Sequence, residues 1–132
     1  MSYDLIVWEG DAPVSDEAAR AVFVRLMERA EEDTAAEPTA AIRAYVHALL
    51  QRWPDITEDA GEDSPWADGP LVNNASGDAI HFSLVWSAAE EASAYAARVA
   101  GEHGLVCYDP QLEALRTPPA RGGGARRRWF RR

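Results

Sequence analysis

Residues 79–86 (AIHFSLVW) alternate in period two, and residues 87–90 (SAAE) then switch the pattern to that of a helix. Successive strand side chains point to opposite sides, so Ile80, Phe82, Leu84 and Trp86 should share one face. His81, Ser83 and Val85 then take the other. Ser87 with Glu90 three residues later is a capping box, in which each side chain satisfies a backbone N–H at a helix start. The helix that follows should bury Ala92, Tyr95, Ala96 and Val99, with Gly104 closing its C-terminus. A strand feeding directly into a helix excludes both all-α and all-β folds.

The same reading supplies the other elements. Residues 3–8 (YDLIVW) form a strand that is apolar on both faces, which suits the centre of a sheet. A helix opens at Ser15, with Asp16 and Glu17 opposing its dipole, and carries Ala19, Val22, Phe23, Leu26, Met27 and Ala30 on one side. Pro38 restarts a helix at its first position; Ile42, Tyr45, Val46, Leu49, Leu50 and Trp53 line it, and Pro54 stops it. Leu71-Val72 reads as a short strand, residues 73–78 (NNASGD) as a turn, and residues 105–108 (LVCY) as the last strand.

This order predicts one α+β domain over residues 1–116, a two-layer ferredoxin-like βα(α)ββαβ sandwich. Its four-stranded antiparallel sheet should run in the order 4-1-3-2, with the helices on one face. The opposite face would then show Ile6, Trp8, His81, Ser83, Val85 and Cys107, too apolar a surface for water alone. It should take a partner, a twin subunit, or cover from an acidic loop through Trp66. Residues 117–132 (TPPARGGGARRRWFRR) cannot build a core and read as a disordered, arginine-rich tail.

Charge is segregated along the chain. All thirteen basic residues are arginine; seven of them share residues 1–116 with all twenty-two acids, a net of −15. The last sixteen residues hold the other six arginines and no acid, a net of +6. A body this acidic repels phosphate backbones, so its folded surface should not bind nucleic acid. The tail has three readings: an inert terminus, a segment folding back on the acidic body, or a contact for anionic lipid or RNA. The absence of lysine excludes a Walker-type phosphate loop and Schiff-base chemistry. No run approaches the roughly 20 apolar residues of a membrane span. Asp4 and Glu9 stand where a signal peptide would be basic, so a cytoplasmic location is expected.

Standard catalytic patterns fail on spacing. His47, His81 and His103 lie on three different elements, and no pair has the spacing of a metalloprotease helix. The calcium-loop candidate beginning at Asp55 and Asp59 has Ala60 and Trp66 where glycine and glutamate are required. A lone Cys107 excludes an intrachain disulfide and reads as a small buried hydrophobe. No cofactor, metal site or catalytic residue is therefore expected. The acidic loop, with Asp55, Glu58, Asp59, Glu62, Asp63 and Asp68 around Trp66, is the expected partner-binding segment, with Asp109 a second contact. Trp53 and Trp86 end core stripes and should be structural, whereas Trp8 and Trp66 are the expected recognition aromatics. A pocket on the open face, lined by Trp8, His81, Ser83 and Cys107, is the alternative.

Residues 1–8 (MSYDLIVW), 64–71 (SPWADGPL), 82–91 (FSLVWSAAEE) and 103–111 (HGLVCYDPQ) resemble a family of small actinobacterial proteins of unassigned chemistry. The resemblance spans roughly residues 1–116, leaves the arginine tail outside, and carries no catalytic residues. Some of its members look like immunity proteins of bacterial toxin systems. The expectation is thus a non-enzymatic, acidic protein-interaction module, an immunity-type inhibitor of a basic toxin or nuclease. The alternatives are a ligand-binding protein or enzyme using the open-face pocket, and a structural homodimer through that face.

Overall fold

In the computed structural model, which describes residues 2–31, 36–55, 64–67 and 69–117, one five-stranded antiparallel sheet is packed between helices. The strands are β1 (Ser2–Trp8), β2 (Ala75–Ser76), β3 (Ala79–Val85), β4 (Val106–Asp109) and β5 (Ala114–Leu115). The helices are α1 (Asp16–Glu31), α2 (Ala40–Arg52) and α3 (Ala89–Glu102). Strand order is β2-β3-β1-β4-β5, so β1 is central, as its two apolar faces require. The α+β class and the antiparallel sheet match expectation; the sheet has five strands where four were expected, and the segment expected as its second strand, Leu71-Val72, is not in it.

The faces differ more. Register pairs Leu5 with Phe82 and Val7 with both Ile80 and Cys107, and these side chains meet Ile42, Tyr45, Leu49, Ala96 and Val99 of α2 and α3. Ile6, Trp8, Ala79, Val106 and Tyr108 point the other way, into a second cluster with Ala19, Val22, Phe23 and Leu26 of α1. The molecule therefore has three layers, because the two-helix connection after β1 places α1 on one face and α2 on the other. The apolar surface over Ile6 and Trp8, expected to be bare, is filled by α1. That removes the ground on which a homodimer through an open sheet face was expected.

Local chemistry explains the boundaries. The Ser15 hydroxyl accepts the Ala18 N–H at 3.1 Å, capping α1 as expected. Thr39 caps α2 by accepting the Ile42 N–H at 3.2 Å, so Pro38 precedes the cap and is not the first helical residue. Ser87 lies in a 3₁₀ turn over Trp86–Ala88 and makes no capping bond; the Ala89 N–H is taken by the Trp86 carbonyl instead. The turn supplies from the backbone what the capping box would have supplied from side chains.

Leu71 is likewise in a 3₁₀ turn (Leu71–Asn74), and β2 starts four residues later than expected. A two-residue loop, Gly77-Asp78, joins β2 to β3, with Gly77 at φ +59°, a conformation glycine adopts without strain.

Candidate functional site

Where β1 enters the sheet and β4 leaves it, Tyr3 and Asp109 lie side by side on the α3 face. Asp109 is fully buried and accepts five hydrogen bonds. Its Oδ1 takes the Gln111 N–H at 3.0 Å, the Leu112 N–H at 3.1 Å and the Gln111 side-chain amide at 2.7 Å. Its Oδ2 takes the Arg116 guanidinium at 3.0 Å and the Tyr3 hydroxyl. A buried carboxylate needs this many donors to offset its lost hydration. Arg116 also donates to the Ser93 hydroxyl at 3.3 Å, tying the β5 end of the sheet to α3. Burial, reinforced by the Asp109 carboxylate, pushes the Tyr3 phenol up to about 12, so it donates throughout the neutral range.

Above this polar floor opens a cleft of about 550 Å³ between the start of α3 and the turn joining β4 to β5. Tyr3, Ser93 and Arg116 line its base; Trp86, Ala89 and Glu90 form one wall and Leu112 the other. Trp86 and Leu112 are 55% and 62% exposed, the rings of Trp86 and Tyr3 lying 5.8 Å apart at 51°. Trp86 reaches the rim because it belongs to the 3₁₀ turn: the strand alternation that would bury it has ended at Val85.

The expected contact residues fall elsewhere or play other parts. Trp66 has no exposed surface. Its indole N–H donates to the Trp53 carbonyl at 2.7 Å, its ring packs against Trp53 and Phe82, and its backbone bridges Leu84. Asp55 is buried and accepts the Leu71 N–H at 2.7 Å. Glu58, Asp59, Glu62, Asp63 and Asp68 lie outside the described residues, as do residues 118–132 of the tail. Asp109 does belong to the candidate site, as its buried floor and not as an exposed contact. Trp66 is thus buried and Trp86 exposed, the reverse of the burial expected of them.

The open-face pocket does not assemble. Trp8 is 4% exposed beneath α1, against Tyr108. Cys107 points to the opposite face, where burial pushes its thiol up to about 12 and leaves it an inert hydrophobe. His81 and Ser83 do remain at the surface around Asp4: the Ser83 hydroxyl donates to Asp4 Oδ1 at 2.6 Å, and His81 Nε2 is 3.9 Å from Oδ2. Here the carboxylate lies between the other two, so no histidine is placed to draw a proton from the serine.

Among the described residues, no three His, Cys, Asp or Glu side chains converge as metal ligands, and no helix is long and apolar enough to cross a membrane. Comparison with protein-family models, with curated proteins and with solved structures finds no match.

Tyr3, Trp86, Glu90, Leu112 and Arg116 were not among the expected site residues. The one available signal was Arg116, the sole base between Arg98 and the tail.

Proposed function

We propose that this chain is a non-enzymatic, acidic protein-interaction module that binds a basic protein, in the manner of an immunity-type inhibitor of a basic toxin or nuclease. The observation that carries the reading is the charge segregation, twenty-two acids against seven arginines over residues 1–116. Glutamates and aspartates are exposed at the start of α1 (Asp16, Glu17), at both ends of α3 (Glu90, Glu91, Glu102) and in the β4–β5 turn (Glu113). A field of one sign over the surface steers an oppositely charged partner and speeds its association. A nuclease must be positive where it holds phosphate, so an acidic, folded surface competes for that place.

Tyrosine, tryptophan and arginine, the residue types that dominate interface energetics, meet in the cleft beside Glu90. We read the strands β2-β3-β1-β4 as a ferredoxin-like frame to which β5 and α1 are added, and we place the protein in the cytoplasm.

The test is affinity capture by the full chain from extracts of its source cells, at low and high salt, with the captured proteins identified by mass. A saturable, stoichiometric basic partner released by salt is expected. Capture only of neutral or acidic proteins, held equally at both salts, would overturn the reading.

A further inference from the structure

We infer that the cleft between Trp86, Glu90 and Leu112 is a seat for one arginine side chain of the basic partner. The inference rests on the acidic-module reading and gives it a point of attachment.

Three observations fix the chemistry of the occupant. First, the Arg116 charge at the base is already balanced: Asp109 faces it at 3.0 Å, and Ser93 takes a further hydrogen bond from it. Second, Glu91 is paired with Arg52 at 3.2 Å, whereas Glu90 has no ion-pair partner among the described residues. Glu90 therefore leaves the cleft with one uncompensated negative charge. The dipole of α3 opposes it by about half an elementary charge, which lowers but does not cancel it. Third, the walls beside that carboxylate are the exposed indole of Trp86 and the exposed Leu112 side chain.

A cation with an apolar stem matches all three. Its stem lies against Leu112, its charged plane faces the indole, and its N–H groups reach Glu90. Arginine fits better than lysine, because a planar guanidinium stacks on an aromatic face and presents several donors to one carboxylate. An anionic ligand would meet Glu90 first and find Arg116 already engaged.

The experiment titrates the full chain with the blocked tripeptide Gly-Arg-Gly, following backbone amides and the five indole N–H signals by NMR. Gly-citrulline-Gly, the same shape without charge, is the control. Saturable shifts at the Trp86 indole and at the Glu90 and Leu112 amides are expected with arginine and not with citrulline. E90Q should weaken binding about threefold and W86A about fivefold. Both positions are exposed, so the variants should fold, and unchanged dispersion of the remaining amides checks this.

Equal shifts with citrulline, or arginine affinities unchanged in E90Q and W86A, would overturn the inference. So would shifts that appear only after the six tail arginines are replaced by glutamine, since the chain itself would then be the occupant. Capture of a basic protein that is indifferent to E90Q and W86A removes this seat but leaves the module reading standing. Peptide binding with no basic protein captured does the reverse.

Discussion

Gln111 holds the backbone of Asp4 twice: its side-chain oxygen accepts the Asp4 N–H at 2.6 Å, and its side-chain nitrogen donates to the Asp4 carbonyl at 2.8 Å. The β1–β4 ladder ends at the pair of Ile6 with Tyr108; continued by two residues, its register would set Asp4 against Pro110, which has no N–H to offer. One side-chain amide thus stands in for the missing rung of the ladder. Q111A should cost about 1–2 kcal/mol, and Q111E more, because it loses the donor and sets a second carboxylate against Asp109. Urea midpoints of the two variants, at unchanged slope, check the order; a Q111E as stable as Q111A would refute it.

Asp109 and Arg116 should be far more sensitive than their position near a sheet edge suggests. Removing Arg116 leaves the buried Asp109 charge without its counter-ion, a loss of about 3–5 kcal/mol, and removing Asp109 strips the partly exposed Arg116, Tyr3 and Gln111 of their shared acceptor. D109A and R116A should each lower the denaturation midpoint steeply. Substitution of the exposed acid Glu102 should stay within about 0.5 kcal/mol.

The two tryptophans of opposite exposure separate core from rim. W66A opens a cavity among Trp53, Phe82 and Leu84 and should cost about 3–5 kcal/mol. W86A, at a half-exposed rim position, should cost about 1 kcal/mol or less. Thermal melts read both. Equal losses would mean that Trp86 is packed more tightly than its exposure shows.

Stability should fall at alkaline pH. Cys107 and Tyr3, ordinarily near 9 and 10, are both pushed up to about 12, and burial raises Tyr45 and Tyr108 as well. Above pH 9 the unfolded chain releases these protons while the folded chain keeps them, so the unfolded state is favoured as pH rises. The contribution is whole below pH 9 and is lost progressively towards pH 12. Denaturation midpoints across that range should decline, and C107A should flatten the first part of the decline.

Much of the fold was legible in the sequence, because periodicity reports burial. The α1 stripe from Ala19 to Met27, the α2 stripe, the alternation of β3 from Ile80 to Leu84 and the double-sided character of β1 all describe real contacts; the Ala30 side chain lies outside the described ones. What escaped was the side of the sheet on which each helix packs. Ile6 and Trp8 announced that the second face of β1 needed cover, yet nothing local to α1 states that it is the element providing it. The site was less legible for a related reason. Trp66, amid loop acids, looked like an exposed anchor, but its indole found a carbonyl and an apolar niche 13 residues back, at Trp53. Trp86 looked like the last member of a buried row and was turned outward by a single 3₁₀ turn.

The central position of β1 has a further consequence for how the chain acquires its structure. Its neighbours are distant in sequence: Ser2 pairs with Val85, and Ile6 with Tyr108. During synthesis this apolar ribbon emerges before either of its sheet neighbours and stays unpaired on both edges until β3, and on one edge until β4, has followed. Sheet closure is consequently a late event governed by long-range encounter, and the nascent chain must be protected from self-association until β4 emerges.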